Sequence, residues 1–350
     1  MSAHISDKNF GDHNSFGIDF DEEIDISSDS KDELLKELSA MLEIRMIEKK
    51  LAELRKDSSI GGPVHLGAGQ EAIAVGISKY LTTTDMVFGG HRSHAHVLAM
   101  GSSPYKLFAE VLGKANGLSK GMGGSMHLWD GPHGFHGSVP IVAGTVPLAV
   151  GAALALKMQN RKDIAVVYFG DGAIEEGVVH ESLNLSRILE VPILFVCENN
   201  FFSSHMHISQ RQPIPSVARF STANDILTKV VDGNNISNIK KVASELITVA
   251  RRDHLPVFIE AITYRHFGHV DWQEDVDVGV NRSAEQIDFW KKRDPIARLE
   301  AAMLEAKYLT QNEIKLITLN INEKIELALN QALSDIEPEA TALLNFVYRN

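Results

Sequence analysis

"VVYFGDGAIEEGVVHESLNLSRILEVPILFVCENNFF" (166–202) decides the fold of this chain. The apolar runs at 166–169 and 193–197 are β-rich, of strand length, and unbroken by polar alternation, as strands buried on both faces require. Between them, "AIEEGVVHESLNLSRIL" has helical patterning. Strand, helix and strand spell a crossover that returns the chain to the neighbouring strand end. Each strand stops abruptly at polar residues, Asp171 after the first and Asn199-Asn200 after the second. In a parallel α/β sheet the carboxyl ends of strands are where ligands bind, because loops and helix N-termini converge there. Gly170 and Gly172 let the backbone turn and approach a ligand closely, and Ala173 opens a helix start that favours phosphate. Asp171 offers a charged oxygen and Asn200, 29 residues later (200 − 171), an amide oxygen. These are two hard ligands suited to an octahedral Mg2+ that also takes diphosphate oxygens and a water. A lone "GDG" is also the sequence of a tight turn; its spacing to the asparagine pair is what adds chemistry.

Outward from this unit, further strand signals lie at "DMVFGG" (85–90), "ILTKVV" (226–231) and "VFIEAIT" (257–263). The reading is an α/β fold: a parallel sheet flanked by helices, with helical N- and C-terminal extensions. "KDELLKELSAMLEIRMIEKKLAELRK" (31–56) places Leu34, Leu35, Leu38, Met41, Leu42, Met46 and Leu51 at helical spacing. "LGAGQEAIAVGISKYL" (66–81) reads as a second helix and "HRSHAHVLAMG" (91–101) as a His-rich turn. From Ala284 onward helical periodicity dominates. Residues 1–30 read as a mobile acidic tail with too little apolar surface to offset ordering entropy, and residues 31–350 as one domain.

With 350 residues, 44% of them apolar, the chain can bury a full core. A formal charge of −12 argues against a general nucleic-acid binder. The single cysteine, Cys197, lies in an apolar run and can form no internal disulfide, which fits a reducing compartment and a buried thiol. No apolar run reaches the roughly 18 residues of a membrane span, and the first residues lack signal-peptide or transit character. A cytoplasmic protein is expected.

G-D-G followed at this distance by N-N resembles the thiamine diphosphate and Mg2+ motif of thiamine-dependent enzymes. The segments "HLGAGQEA" (65–72), "HRSHAH" (91–96), "KGMGGSMH" (120–127), "IVAGTVPLAVGAALA" (141–155), "YRHFGH" (264–269) and "RDPI" (293–296) narrow the resemblance. Together they resemble the α subunit of the thiamine-dependent dehydrogenase component of 2-oxo acid (pyruvate or branched-chain) and acetoin dehydrogenase complexes, from about Leu34 to the C-terminus. The resemblance implies a thiamine diphosphate-binding fold and assigns roles residue by residue. Asp171, Asn200 and the backbone oxygen of Phe202 would hold the metal. Gly170, Gly172, Ala173, His91, Arg92, Arg265 and His269 would surround the diphosphate, where forked arginines match phosphate oxygens. Val142 would support the aminopyrimidine, with the Pro140 carbonyl as its acceptor. His65 and His94, with His269, would serve catalysis on the substrate side, where an imidazole titrating near neutral pH can donate to a carboxylate or move a proton.

Several positions depart from the family. His91 stands where many relatives carry tyrosine, a pattern closer to acetoin-type subunits. Val270 stands where animal pyruvate enzymes have a regulatory serine, so that phosphorylation switch should be absent. "FFSSHMHISQRQP" (201–213) replaces the usual stretch after the asparagine pair. The carboxyl group that acts on the pyrimidine comes, in the family, from a β chain. Glu71, on a helix beside Gln70, reads as structural. The resemblance therefore implies an α2β2 assembly with a lipoyl acyltransferase as acceptor. A two-chain carboligase or transketolase-like enzyme is the alternative, and a nucleotide-binding module is disfavoured because no G-x-G-x-x-G follows the first strand.

Overall fold

The computed structural model describes residues 16–274, 276–277 and 280–345. Helix α1 (Lys31–Lys56) begins at a capping box in which Ser30 Oγ accepts the Glu33 N–H at 3.3 Å and the Glu33 carboxylate accepts the Ser30 N–H at 3.1 Å. Leu34, Leu38, Met41, Ile47 and Leu51 of its apolar stripe are fully buried, and Leu35 and Met46 partly so. Helix α2 is shorter than its sequence pattern suggests, Glu71–Ser78. The reason is Gly69, at φ +104, where a Cβ would come within 2.4 Å of the Tyr264 carbonyl oxygen. The chain turns there against another loop, and the helix cannot extend backward.

The remaining elements follow in order. They are β1 (Met86–Gly89), α3 (His94–Ala99), α4 (Pro104–Val111), β2 (Phe135–Ser138), α5 (Thr145–Met158), β3 (Ala165–Gly170), α6 (Gly177–Leu189) and β4 (Ile193–Asn199). A two-residue hairpin pair, β5 (Phe202–Ser203) and β6 (Met206–His207), precedes α7 (Ala218–Thr222), β7 (Leu227–Asp232), α8 (Ile236–Asp253) and β8 (Val257–Ile262). After β9 (Val276–Asp277) and β10 (Val280–Asn281) the chain closes with α9 (Ala284–Lys291), α10 (Pro295–Glu305) and α11 (Gln311–Ser334). The stretch expected as a His-rich turn is a turn only at His91-Arg92 and then becomes α3.

The main sheet has the order β2-β1-β3-β4-β8-β7, and each of its pairings is parallel. Strands β3 and β4 are neighbours, as the crossover spacing predicts, with Gly170 in register with Glu198. Alternate side chains enter two separate cores. Val166 and Tyr168 pack with α1, α2 and α8 on one face, while Ala165, Val167 and Phe169 pack with α5 and α6 on the other. That double burial explains the unbroken apolar runs. Cys197 lies wholly buried in the second core, where burial pushes its thiol pKa well up. Strand β2, "FHGS", carries no apolar run and is visible only through its pairing with β1.

The acidic segment is a correction to the sequence reading, which begins order near Lys31. Phe20 and Ile24 are buried, Phe20 meets the Trp290 ring edge-on at 5.9 Å, Asp21 pairs with Arg293, and Arg298 donates to the Glu22 carbonyl at 2.7 Å. The aromatic and cationic partners lie more than 250 residues away, so local composition does not reveal them. Residues 1–15 of the expected tail lie outside the described residues. Among the described residues, no helix is long and apolar enough to cross a membrane.

Candidate active site

A cleft opens at the carboxyl ends of β1, β3 and β4. Its wall includes Gly90, Gly170, Gly172, Ala173, Asn200 and Phe202. Asp171, between its two glycines, is wholly buried. Arg211 donates to Asp171 Oδ2, whereas Oδ1 is buried without a hydrogen-bond partner among the described residues. Burial raises the pKa of Asp171 and the neighbouring Arg211 charge opposes that shift. A lone buried carboxylate oxygen at a strand end fits a site built for a cation. Gly172 has a steric role, since a Cβ there would meet Ser203 Oγ at 2.3 Å. The helix start expected at Ala173 is a single 3-10 turn, Ala173–Glu175, before α6.

The two asparagines divide their labour. Asn199 Nδ2 donates to Glu260 at 2.7 Å and to the Pro215 carbonyl at 3.1 Å, so it ties β4 to β8 and the following loop. Asn200 faces the cleft, with its Nδ2 donating to Gln70 Oε1 at 3.4 Å and its Oδ1 accepting the Phe202 N–H at 3.3 Å. Between them and β5, Phe201 holds φ 69, a left-handed backbone rare for an aromatic residue. This kink carries the chain across the cleft and places Phe202 in its wall.

Three imidazoles converge opposite. His65, His91 and His269 have ring centroids 4.7, 5.3 and 5.5 Å apart, and their nearest ligand nitrogens all lie within 4.8 Å of one another. Burial, followed by the positive charge of Arg92, lowers the pKa of His65 to about 3 and of His91 to about 2. Both are neutral near pH 7. Arg92 donates to the Leu66 carbonyl at 2.8 Å and to the His269 carbonyl at 3.0 Å, joining the loop that carries His65 to the loop that carries His269. Arg265 is near enough for its charge to act on His65 and His91, yet its side chain is buried and does not line the cleft. Ile141 and Val142 form an exposed apolar edge, and Ala143 follows at φ 60. Pro140 precedes this edge, half-buried, outside the cleft lining.

His94 departs from its expected place on the substrate side. It is wholly buried, with Nδ1 on Glu48 at 3.3 Å and Nε2 on Ser125 at 2.9 Å, and does not line the cleft. Residues two apart on a helix do not share a face, and α3 turns His96 toward the cleft instead. His96 stacks on Tyr168 at 3.9 Å and places Nε2 3.0 Å from Glu198 Oε1. Ser93 Oγ donates to the Gly90 carbonyl at 2.9 Å, and His96 Nδ1 lies 3.3 Å from the same hydroxyl. The sequence reading missed this pair; the "E" directly before the asparagine pair and the second histidine of "HRSHAH" are its traces in the sequence. Glu71, by contrast, is structural as read. Its carboxylate takes Arg45 Nε at 2.5 Å and Nη2 at 2.8 Å, plus the Gly69 N–H. The glycine loop is likewise scaffolded, because the buried Glu110 carboxylate accepts the N–H groups of Ser119, Gly121, Gly123 and Gly124 at 2.5–3.1 Å.

Known proteins resemble the chain over most of its length. Residues 39–341 match the family model described as the dehydrogenase E1 component. The chain is 35% identical over 308 residues to the alpha subunit of acetoin:2,6-dichlorophenolindophenol oxidoreductase of Bacillus subtilis, spanning 88% of this chain and 91% of that protein. It is 33% identical over 319 residues to the pyruvate dehydrogenase E1 component subunit alpha of Rhizobium meliloti, 91% and 90% of the two chains. The corresponding subunit of Porphyra purpurea is 32% identical over 326 residues, 91% and 94% of the two chains. The chain belongs to the dehydrogenase E1 component family.

Proposed function

We propose that this chain is the α subunit of a cytoplasmic dehydrogenase component that uses thiamine diphosphate and Mg2+. With a β subunit it decarboxylates a small 2-oxo acid, or cleaves acetoin, and passes the acyl unit to a lipoyl carrier. The observation that carries this reading is that Asp171 and Asn200 follow the ends of two paired parallel strands, with one buried Asp171 oxygen lacking a hydrogen-bond partner among the described residues. The names of the relatives, pyruvate dehydrogenase and acetoin oxidoreductase alpha subunits, support it.

Asp171, Asn200 and the backbone oxygen of Phe202 would hold the metal. Gly170, Gly172, Ala173, His91, Arg92 and His269 would hold the diphosphate, with Arg265 contributing its charge from behind the cleft wall, and Val142 with the Pro140 carbonyl would support the pyrimidine. When bound, thiamine diphosphate supplies the electron sink for cleaving the bond beside a carbonyl. The chain's own contribution is orientation and proton handling. Resting His65 is neutral and adds no positive charge beside Arg92, and its ring can accept a proton at one nitrogen while donating a hydrogen bond from the other. His94 acts from behind the wall, through Glu48 and Ser125, by fixing the loops around the site. The β subunit is expected because Glu71 is committed to Arg45 and because an apolar surface is left exposed. That surface comprises Ile141, Val142, Leu148, Met158, Leu185 and Ile188 on the cleft edge, α5 and α6.

The test is reconstitution of the α/β pair with a lipoyl domain and a panel of 2-oxo acids and acetoin. Acylation of the lipoyl domain is the expected result. Joining of the fragment to an aldehyde or sugar, with no lipoyl acylation, would replace this reading with the carboligase one. Asp171→Ala should abolish Mg2+-dependent cofactor binding, and calorimetry showing unchanged affinity would remove the metal assignment.

A further inference from the structure

The stretch "FFSSHMHISQRQP" follows the asparagine pair, and one residue in it reaches back to the strand end. Arg211 follows the 3-10 turn Ile208–Gln210, and its side chain is only 7% exposed. Its guanidinium donates through one nitrogen to Asp171 Oδ2 and through another to Glu175 Oε1, while Nε donates to the Met206 carbonyl at 3.2 Å. Glu175 also accepts Gln212 Nε2 at 2.7 Å, and Gln212 Oε1 in turn accepts Arg219 at 2.5 Å. The arginine is thus fixed at all three nitrogen positions. A guanidinium has donors only and cannot ligate a metal. What it does here is pin one oxygen of Asp171 and leave the other, Oδ1, buried and without a partner among the described residues.

We infer that Arg211 is the positioning residue for the metal ligand Asp171. It holds the carboxylate so that a single oxygen is presented to the cation, and Glu175 offsets the charge of the guanidinium beside it. This inference rests on the reading of Asp171 as a metal ligand. One-oxygen presentation matters for which cation is held, because Mg2+ demands near-octahedral geometry with short bonds whereas Ca2+ readily takes a carboxylate through both oxygens. Partners that orient a ligand commonly change metal affinity by about 10- to 100-fold when lost. The opposite possibility, that Arg211 merely occupies the cation's place, predicts the opposite sign.

The experiment measures Mn2+ binding by electron paramagnetic resonance and competition by Mg2+ and Ca2+, on the α/β protein with thiamine diphosphate present. Arg211→Gln should weaken Mn2+ binding by about 10-fold or more and shift the competition toward Ca2+. Arg211→Lys keeps the charge and lacks the fork; it should recover part of the affinity and little of the selectivity. It also serves as the test variant if Arg211→Gln fails to fold. Glu175→Gln, which leaves the guanidinium charge uncompensated, should weaken all three cations together. Unchanged or tighter Mn2+ binding in the Arg211 variants, or a loss equal for Mg2+ and Ca2+, overturns the inference. Asp171→Ala, measured alongside, separates the two levels: if it retains Mn2+, the metal reading itself fails, whereas if it loses Mn2+ and the Arg211 variants do not, only the positioning role fails.

Discussion

Neutral imidazoles of His65 and His91 stand beside Arg92, and burial is the first cause of their neutrality. For His65 and His91 the folded pKa values of about 3 and about 2 lie below the ordinary histidine value of 6.5. Below pH 6.5 the unfolded chain therefore takes up protons that the folded chain refuses, so stability is fully present above that pH and falls as the pH drops toward the folded values. Each such histidine contributes a slope of up to about 1.4 kcal/mol per pH unit in this window. In the cofactor-free protein, His65→Gln and His91→Gln should each flatten the loss of stability between pH 6.5 and 4, as measured by denaturant titration at several pH values. Equal slopes in variant and parent would show that these rings are protonated in the folded chain. The sequence points to these histidines through their motifs, but not to their protonation, which depends on burial and on Arg92. The same limit explains His94 and His96: both stand in one motif, and only the helix placement of α3 shows which of them meets the cleft.

Elements here are held at their ends by single residues. Gly172 is required because β5 lies against it. Gly172→Ala should push Ser203 away and displace Phe202, lowering metal affinity severalfold while secondary structure content stays unchanged; circular dichroism and metal titration together check this. Glu110 gathers four backbone N–H groups of the glycine loop. Because hydrogen bonds to a charged group contribute about 1.5–3 kcal/mol each, Glu110→Ala should destabilise the chain by roughly 3 kcal/mol or more, read by chemical denaturation, with faster amide exchange confined to residues 119–124. Central strands β3, β4 and β8 were legible in the sequence because burial on both faces leaves an apolar run. Strand β2 and the true start of α2 were not, because one depends on pairing with β1 and the other on the close approach of Tyr264 to Gly69.

At the scale of the whole molecule, one wall of the cleft and the outer faces of α5 and α6 are apolar and uncovered. Leu148 is 57% and Ile188 67% exposed. Leu148→Glu should change the stability of the isolated chain by no more than about 0.5 kcal/mol, as surface substitutions usually do, while preventing assembly with the β subunit. Light scattering coupled to size exclusion distinguishes the two, and an intact complex would place the interface elsewhere. The sequence by itself determined the sheet's central strands, the pairing of the two strands that lead into Asp171 and Asn200, and the family, because strand burial, crossover length and motifs leave local patterns in the chain. Only the tertiary structure decided that Phe20 and Ile24 join the core, that His96 rather than His94 meets the cleft, and that Arg211 grips Asp171. Each of these depends on partners far apart in sequence, and no local period or spacing encodes which distant side chain will arrive.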